Sequence, residues 1–460
     1  MPRRGVRRWG PSIAIVMSVW LAILVVPDFG LSGDTLPCPT SFSVTAVSFS
    51  PIGRAAASPC PGLEWVRTYE TTHGYARAIQ PTSDGGYVLV FGWGVGVAKV
   101  DARGTLMWAR EFAEGWAWEA REAAGGGFVL VGGASNDGWI VKLDGNGAVV
   151  SQRTYGGAGK EEFWAGSNTP GGGHVLAGVT DSADGVGRVW VVKIDTAGDV
   201  TWSRAYDEGR AWSVDIVAGG GYVVAAGSGY SEGLLVLRLD ESGNVVWRRS
   251  LAGVGGEARS IRSTADGGFV VGGFIPAGSR YRDIVVKLDA SGNVQWRKSY
   301  QVHEMVFIAN GFVQPTPDGG YFLAGSLLTT RSAGAGRNDF ALLRLDSSGN
   351  VLWAKVYGTA LDEKALTGAY SAADGGFVVA GQTITASSKA YAWVVKTDGN
   401  GNVVPACPSG IGASLAGSPG TPKLTTDAAN TGSTLTSLST LAVSALSSDL
   451  PVGVTTLCSA

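Results

Sequence analysis

The residue types that most often carry out catalysis or hold a metal are scarce in this sequence. It has three histidines, His73, His174 and His303, and none of them has a second His or a Cys at the spacing of a metal-binding pair. No serine has a nucleophile-elbow setting, and no phosphate-binding or dinucleotide-binding glycine fingerprint is present. We therefore expect no catalytic centre, no metal and no cofactor.

A second set of residues has the chemistry of a binding surface. It is found ten positions before each of seven residues, all aromatic or His, that follow a Gly-Gly pair. The set consists of Arg77, Trp118, Trp164, Trp212, Arg259, Gly311 and Thr367. Three successive tryptophans, with Trp116 nearby and arginines on either side, are typical of sites for a sugar or an extended polymer. The alternative is that these rings pack against each other inside the fold.

The spacing of this set comes from an internal repeat. The residues after the Gly-Gly pairs are Tyr87, Phe128, His174, Tyr222, Phe269, Tyr321 and Phe377, at intervals of 41 to 56 residues. They alternate with seven Asp-x-x-Gly motifs, which begin at Asp101, Asp144, Asp195, Asp240, Asp289, Asp346 and Asp398. Each copy reads as four short strands, with a glycine turn after the first and a type I turn after the third. Such a unit has the length of a propeller blade.

The two ends of the repeat array predict a closed ring. After Asp398 the last copy reaches Pro405 without a fourth strand, whereas the segment 63–69, Leu-Glu-Trp-Val-Arg-Thr-Tyr, matches the fourth strands of other copies. Pairing this segment with the last copy would remove the exposed sheet edges of an open array. The sequence thus predicts an all-β, seven-bladed β-propeller of four-stranded antiparallel blades, closed by the N-terminal strand in the last blade.

Two further positions repeat with the fourth strand and the turn before it. A tryptophan recurs seven residues after the turn aspartate, and we expect it to cover the gap between adjacent sheets: Trp108, Trp202, Trp247, Trp296 and Trp353. A base stands two residues before the same aspartate, and we expect its charged end to reach solvent: Lys99, Lys142, Lys193, Arg238, Lys287, Arg344 and Lys396.

The repeats, such as 283–296 (DIVVKLDASGNVQW), resemble those of bacterial and archaeal secreted β-propeller proteins. More distantly, Leu-Asp-x-x-Gly-x-x-x-Trp is similar to the tryptophan-docking repeat of quinoprotein-type propellers. The turn here is one residue shorter than in that family, so the resemblance does not imply a bound quinone. It covers about residues 63–405 and concerns the architecture, since propellers host many unrelated functions.

The termini predict export. Residues 1–32 combine four arginines with the apolar run 13–26, typical of a signal peptide, with an uncleaved membrane anchor as the alternative. Residues 33–62 form an extension, 63–405 the propeller, and 406–460 a Ser/Thr/Gly-rich extension. All four cysteines lie outside the repeats, and Cys38–Cys60 with Cys407–Cys458 is the simplest of three possible pairings. We expect disulfides, and a secreted or cell-surface location.

Function is the least determined part of the sequence. A net charge of −2 without a basic block in the repeats argues against a nucleic-acid partner. We expect a monomeric, non-catalytic binding or scaffold module for a glycan, peptide or surface partner, in contact with a membrane only through an uncleaved N-terminus. The alternative is an extracytoplasmic enzyme, quinone-dependent or acting on polysaccharide, with its site in the central channel. We expect four carboxylates to face the channel and to be the candidates for catalysis there: Glu161, Glu162, Glu257 and Glu363.

Overall fold

The computed structural model describes residues 64–403, apart from 70, 72–73, 93–94, 113, 182–184, 228–232, 252–255, 278–279, 303–304, 309–311, 329–337, 359–360 and 385–387, and also the backbone of three later strands. In this part of the chain, antiparallel strands form seven blades around a central channel. The predicted seven-bladed propeller is confirmed. Residues 1–63, including Cys38 and Cys60, and Cys407 lie outside the described residues.

Each blade has an inner strand beside the channel, then a second, a third and an outer strand. From blade 1 to blade 7, the inner strands are Ala76–Pro81, Trp116–Glu122, Glu161–Asn168, Arg210–Ile216, Glu257–Ser263, the two pieces Met305–Ile308 and Val313–Pro315, and Asp362–Tyr370. The second strands are Tyr87–Phe91, Phe128–Ala134, His174–Thr180, Tyr222–Gly227, Phe269–Ala277, Tyr321–Leu328 and Phe377–Ile384.

The third and outer strands complete the sheet of each blade. The third strands are Val95–Val100, Asp137–Leu143, Arg188–Ile194, Leu234–Leu239, Arg280–Leu288, Asn338–Leu345 and Ala390–Thr397. The outer strands are Leu106–Phe112, Val149–Gly156, Val200–Glu208, Val245–Ser250, Val294–Val302, Val351–Tyr357 and, in blade 7, Trp65–Tyr69. Second and third strands such as Tyr87–Phe91 and Val95–Val100 are buried along their whole length, because a neighbouring blade covers each face.

The N-terminal strand closes the ring as predicted. Trp65–Tyr69 pairs antiparallel with the third strand of blade 7, with Trp65 opposite Lys396 and Tyr69 opposite Ala392. Trp65 also supplies the repeated tryptophan to blade 7, because the last copy has Pro405 at that position. Its indole N–H donates to the Ala102 carbonyl of blade 1 over 2.8 Å.

The outer tryptophans join neighbouring blades, as predicted. The indole N–H of Trp108, for example, donates to the Gly145 carbonyl in the turn of the next blade. The ring lies so close to this turn that a Cβ on Gly147, whose φ is +77°, would lie 2.7 Å from it. Glycine is therefore required there for two reasons, its backbone conformation and the close approach of the ring.

The prediction that the repeated bases reach solvent is wrong in four blades. Lys99, Lys287, Arg344 and Lys396 are buried, and each pairs with the aspartate of its own Asp-Gly-Gly turn. Blades 2, 3 and 4 have glycine in place of that aspartate. There the base bonds elsewhere, as Lys193 does with Glu241 of the next blade. The charge is buried wherever the sequence supplies a turn carboxylate within reach.

The two faces of the propeller differ. Because strands alternate in direction, all glycine turns and all Asp-x-x-Gly turns lie on one face, which we call the turn face. The other face, the loop face, carries the connections between second and third strands and those between blades. The former vary from two residues in blade 2 to nine in blade 6. Variable loops on a uniform scaffold are where binding functions concentrate.

Three strands of the C-terminal extension pair with outer strands of the propeller. Leu424–Asp427 pairs with blade 5, Ser448–Asp449 with blade 3 and Gly453–Ser459 with blade 2. Cys458 lies in the last of these strands, and the structure does not describe its side chain. The predicted disulfides stay predictions.

Candidate functional site

A β-bulge in the inner strand positions the predicted binding residues. The register with the second strand shifts at one residue in each of blades 1–5 and 7. The bulged residues are Arg77, Trp118, Trp164, Trp212, Arg259 and Leu366. A bulge turns its side chain away from the regular alternation, and here it lies in the half of the strand nearer the loop face. Five of the six residues are those singled out from the sequence.

Thr367 is not the equivalent residue of blade 7. In blade 1 the turn is closed by a bond from the Thr82 N–H to the Gly86 carbonyl, whereas in blade 7 the bond from Ser371 reaches Gly376. The turn of blade 7 is thus one residue longer, and counting ten positions back from Phe377 misses the bulge by one. Thr367 is buried, and Leu366 takes its place at the channel. Gly311 of blade 6 lies outside the described residues.

The bulged side chains of blades 1 to 5 form one continuous stack, which we call the mouth stack. The guanidinium of Arg77 lies 3.9 Å from the ring centre of Trp118, and Trp118 meets Trp164 edge to face at 6.0 Å. Trp164 stacks on Trp212 at 4.2 Å and an interplanar angle of 21°. Arg259 then lies 3.5 Å from the ring centre of Trp212. Cation–π and aromatic contacts therefore link five successive blades.

The rings of the mouth stack are half-buried, between the two arrangements considered from the sequence. They line the channel together, but their faces are largely taken up by one another. Trp212 is covered by Trp164 on one face and, because both cannot share a face at these distances, by Arg259 on the other. What the stack offers a ligand is its ring edges and the ends of its arginines, not an open aromatic face.

Trp116 lies beside the mouth stack and shares an acceptor with it. The indole N–H groups of Trp116 and Trp118 both donate to Oε1 of Glu162 from the next blade. Glu162 is buried, so its charge is compensated locally by two donors rather than by water. Trp116, expected near the stack, and Glu162, considered as a catalytic carboxylate, thus belong to one hydrogen-bonded unit.

Two exposed bases at the mouth were missed by the sequence analysis. They are Arg210 and Lys364, each two residues before the bulge of its inner strand. The Arg210 guanidinium lies 5.5 Å from the ring centre of Trp164. The alignment that selected the tryptophans, moved two positions toward the N-terminus, contains Arg210 but selects Ala365 in place of Lys364, because the turn of blade 7 is one residue longer.

Deeper in the channel lies a second charged layer. Glu119 accepts hydrogen bonds from the Gly166 N–H and from Arg121, which it also contacts as an ion pair at 2.6 Å. Burial lowers the pKa of Arg262 in blade 5, and the positive charge of Arg121 in blade 2 lowers it further. Blades 2 and 5 are not neighbours, so this electrostatic interaction acts across the channel.

The carboxylates considered for catalysis are already engaged. Glu161 and Glu363 are fully buried and accept hydrogen bonds from Thr180 and Thr383, respectively. The expectation that they face the channel is therefore wrong. Glu257 does lie at the mouth, where it forms an ion pair with Arg259 at 2.7 Å. Burial and the nearby Glu161 raise the pKa of Asp137.

His174 is the one histidine within the described residues. Its ring is buried, with Nδ1 3.1 Å from Oδ1 of Asn168. Burial, and to a smaller extent the charge of Lys142, lowers its pKa to about 4. It is a packed core residue, neutral near pH 7. His73 and His303 lie outside the described residues.

The described residues contain neither a metal-binding cluster nor a membrane-spanning helix. No group of three or more His, Cys, Asp or Glu side chains there is arranged to hold a metal ion. No helix in that part of the chain is long and apolar enough to cross a membrane.

Comparison with known proteins supports the β-propeller fold and nothing more specific. No protein-family model and no curated protein matches the sequence. Solved propeller structures do match. The C-terminal WD40 domain of Sif2 is 10% identical with a TM-score of 0.41, over 76% of this chain and 98% of that one. A gluconolactonase from Xanthomonas campestris is 9% identical with a TM-score of 0.37, over 77% and 99%.

A third match has no known function. This protein, from Desulfotomaculum acetoxidans, is 12% identical with a TM-score of 0.44, over 63% of this chain and 91% of that one. The neighbours thus include an enzyme, a WD40 domain and a protein of unknown function. Likenesses this distant carry no argument about activity, and the chain is similar to them as a β-propeller.

Proposed function

We propose that this protein is an exported, non-catalytic binding or scaffold module that holds a glycan, a peptide or a surface partner at the loop-face mouth of its channel. The observation that supports the proposal is the uneven distribution of Trp and Arg between the two faces of the propeller. The turn face repeats one pattern, whereas the inner strands of blades 1 to 5 carry Trp or Arg at the bulge nearer the loop face.

Packing alone is a weaker explanation for the mouth stack. Its rings are only half-buried, whereas small residues on the same inner strands are fully buried between the blades. Ala117, Ala211 and Ala258, each next to a bulge, are fully buried. Large amphipathic side chains kept partly in contact with the channel are typical of recognition surfaces.

The test is an array of glycans and peptides probed with the wild-type protein and two variants. Trp118→Ala removes a mouth ring, and Trp296→Ala removes a ring of similar environment from an outer strand, where Lys298 lies 5.8 Å from it. We expect ligands that bind the wild type to bind the Trp296→Ala variant equally and the Trp118→Ala variant at least about fivefold more weakly. Equal binding by all three would contradict a site at the mouth.

A different assay distinguishes the enzymatic alternative from the proposed binding function. Turnover on a panel of polysaccharides, or quinone absorbance in the purified protein, would favour an enzyme in the channel. The engagement of Glu162 with two indoles and of Glu257 with Arg259 supports the binding role, because neither carboxylate is left free to act as a general acid or base.

A further inference from the structure

The mouth of the channel is basic, in a chain whose net charge is −2. Among the bulged residues and those two positions before them, blades 1–5 and 7 supply four bases, Arg77, Arg210, Arg259 and Lys364. Against these stand two carboxylates, Glu162 and Glu257. Both are occupied, Glu162 by two indole N–H groups and Glu257 by Arg259. Within this set of six charged residues the two that are exposed, Arg210 and Lys364, are both positive.

The same wall has more donors than acceptors. Nε1 of Trp164, Nε1 of Trp212 and Nε of Arg259 are buried atoms with no hydrogen-bond acceptor among the described residues. Oε2 of Glu257 is the one buried acceptor of this wall without a hydrogen bond there, although it lies 2.7 Å from Nη2 of Arg259. These atoms are covered by the stack itself, so the donors that a ligand can reach are the exposed ends of Arg210 and Lys364.

We infer that the ligand of the mouth is an acidic oligosaccharide with a carboxylate on its sugar rings, as in chains of uronic acids. This inference rests on the proposed binding function and adds the ligand class. The carboxylates would pair with Arg210 and Lys364, and the sugar rings would lie against the exposed ring edges of the stack. Carboxylate recognition by a guanidinium is among the stronger polar contacts.

The distribution of the bases favours a saccharide over an acidic peptide. The basic groups are spread over blades 1, 4, 5 and 7 with tryptophan edges between the first three, and are not gathered in one cluster. A stiff chain with one carboxylate per ring offers separated charges and C–H surfaces at low entropic cost. A flexible acidic peptide must be ordered on binding before it can make the same pairs.

The test measures affinity of the full chain for three probes by isothermal titration calorimetry. They are an oligomer of galacturonic acid, the same oligomer with its carboxylates methyl-esterified, and a polyglutamate peptide of equal charge. The protein is compared with Arg210→Gln and Lys364→Gln, and with Arg103→Gln, which removes an exposed arginine from the turn face and so changes the net charge equally. Circular dichroism checks that each variant is folded.

We expect the acidic oligomer to bind, and to bind about tenfold more weakly to Arg210→Gln and Lys364→Gln, the effect of one charge-assisted hydrogen bond. Arg103→Gln and the wild type should be equal, and the esterified oligomer should bind weakly to all. Equal binding of the esterified oligomer, or tighter binding of polyglutamate, would overturn the acidic saccharide and leave the mouth as a binding site. Binding that is unchanged in both mouth variants would overturn the site as well.

Discussion

The contact between Arg259 and Trp212 allows the mouth stack to be tested for energetic coupling. The experiment is a double-mutant cycle with Trp212→Leu, Arg259→Gln and the double variant. Arg259 lies 3.5 Å from the ring centre, and its side chain is 31% exposed. A cation–π contact is worth about 0.5–1 kcal/mol when exposed and about 2 kcal/mol when desolvated, so we expect a coupling of about 1 kcal/mol.

The cycle isolates this contact from the other losses. Trp212→Leu alone also removes the stack with Trp164, and Arg259→Gln alone also removes the ion pair with Glu257. Each of these losses appears in both arms that carry the substitution, so it cancels from the coupling term. We therefore expect each single variant to be less stable than the wild type, and the double variant to be more stable than additivity predicts.

The assay is thermal unfolding monitored by circular dichroism. A control cycle uses Trp247 and Arg249, which lie on an outer strand with the guanidinium 5.4 Å from the ring centre. Its coupling should be smaller because the two groups are farther apart. A coupling below about 0.4 kcal/mol at Trp212 and Arg259, the usual limit of additivity, would refute the view that the stack is one energetic unit.

Three other predictions concern the fold and the termini. Deleting residues 63–69 removes the strand that pairs with blade 7, so we expect aggregation or a large drop in Tm, and an equally stable monomer would contradict closure by this strand. Although burial opposes it, bonding to Lys99 and Lys287 lowers the pKa values of Asp84 and Asp266 to about 2, from an ordinary 3.8. The stability that these pairs contribute is present above pH 3.8 and is lost as the pH falls toward 2. As the pH is lowered through this range, Tm should therefore fall less in the double variant Asp84→Asn, Asp266→Asn than in the wild type. Titration of the mature protein with a thiol reagent after non-reducing denaturation should find no free cysteine, whereas four reactive thiols would contradict both the disulfides and the export that they imply.

The architecture could be predicted from the sequence because each blade repeats the same local chemistry. Two turn signals at fixed positions determine four strands, and an extra fourth strand at the start of the array with a missing one at its end determines the closure. The buried pairs of Lys99 and Lys287 with Asp84 and Asp266 were also encoded. They were missed because only the glycines of the first turn, and not the aspartate before them, were used as a repeated pattern.

Most residues of the candidate site could be predicted from the sequence, but the arrangement of their side chains could not. Counting from Phe377 selected Thr367 because one extra residue in a turn shifts every position before it. Whether a tryptophan presents its face or its edge depends on side-chain rotamers and on neighbours from other blades. Trp164 and Trp212 are 48 positions apart in the sequence, and no local pattern shows that they stack. Arg210 and Lys364 became visible only when the bulge fixed which inner-strand residues share the mouth.

A crystal structure of the protein with its tightest-binding glycan or peptide tests the central claim most directly. The account predicts ligand density at the loop-face mouth, in contact with Arg210 and with the edge of at least one tryptophan of the mouth stack. Density confined to the turn face or to the outer strands, with the mouth unchanged, would contradict it.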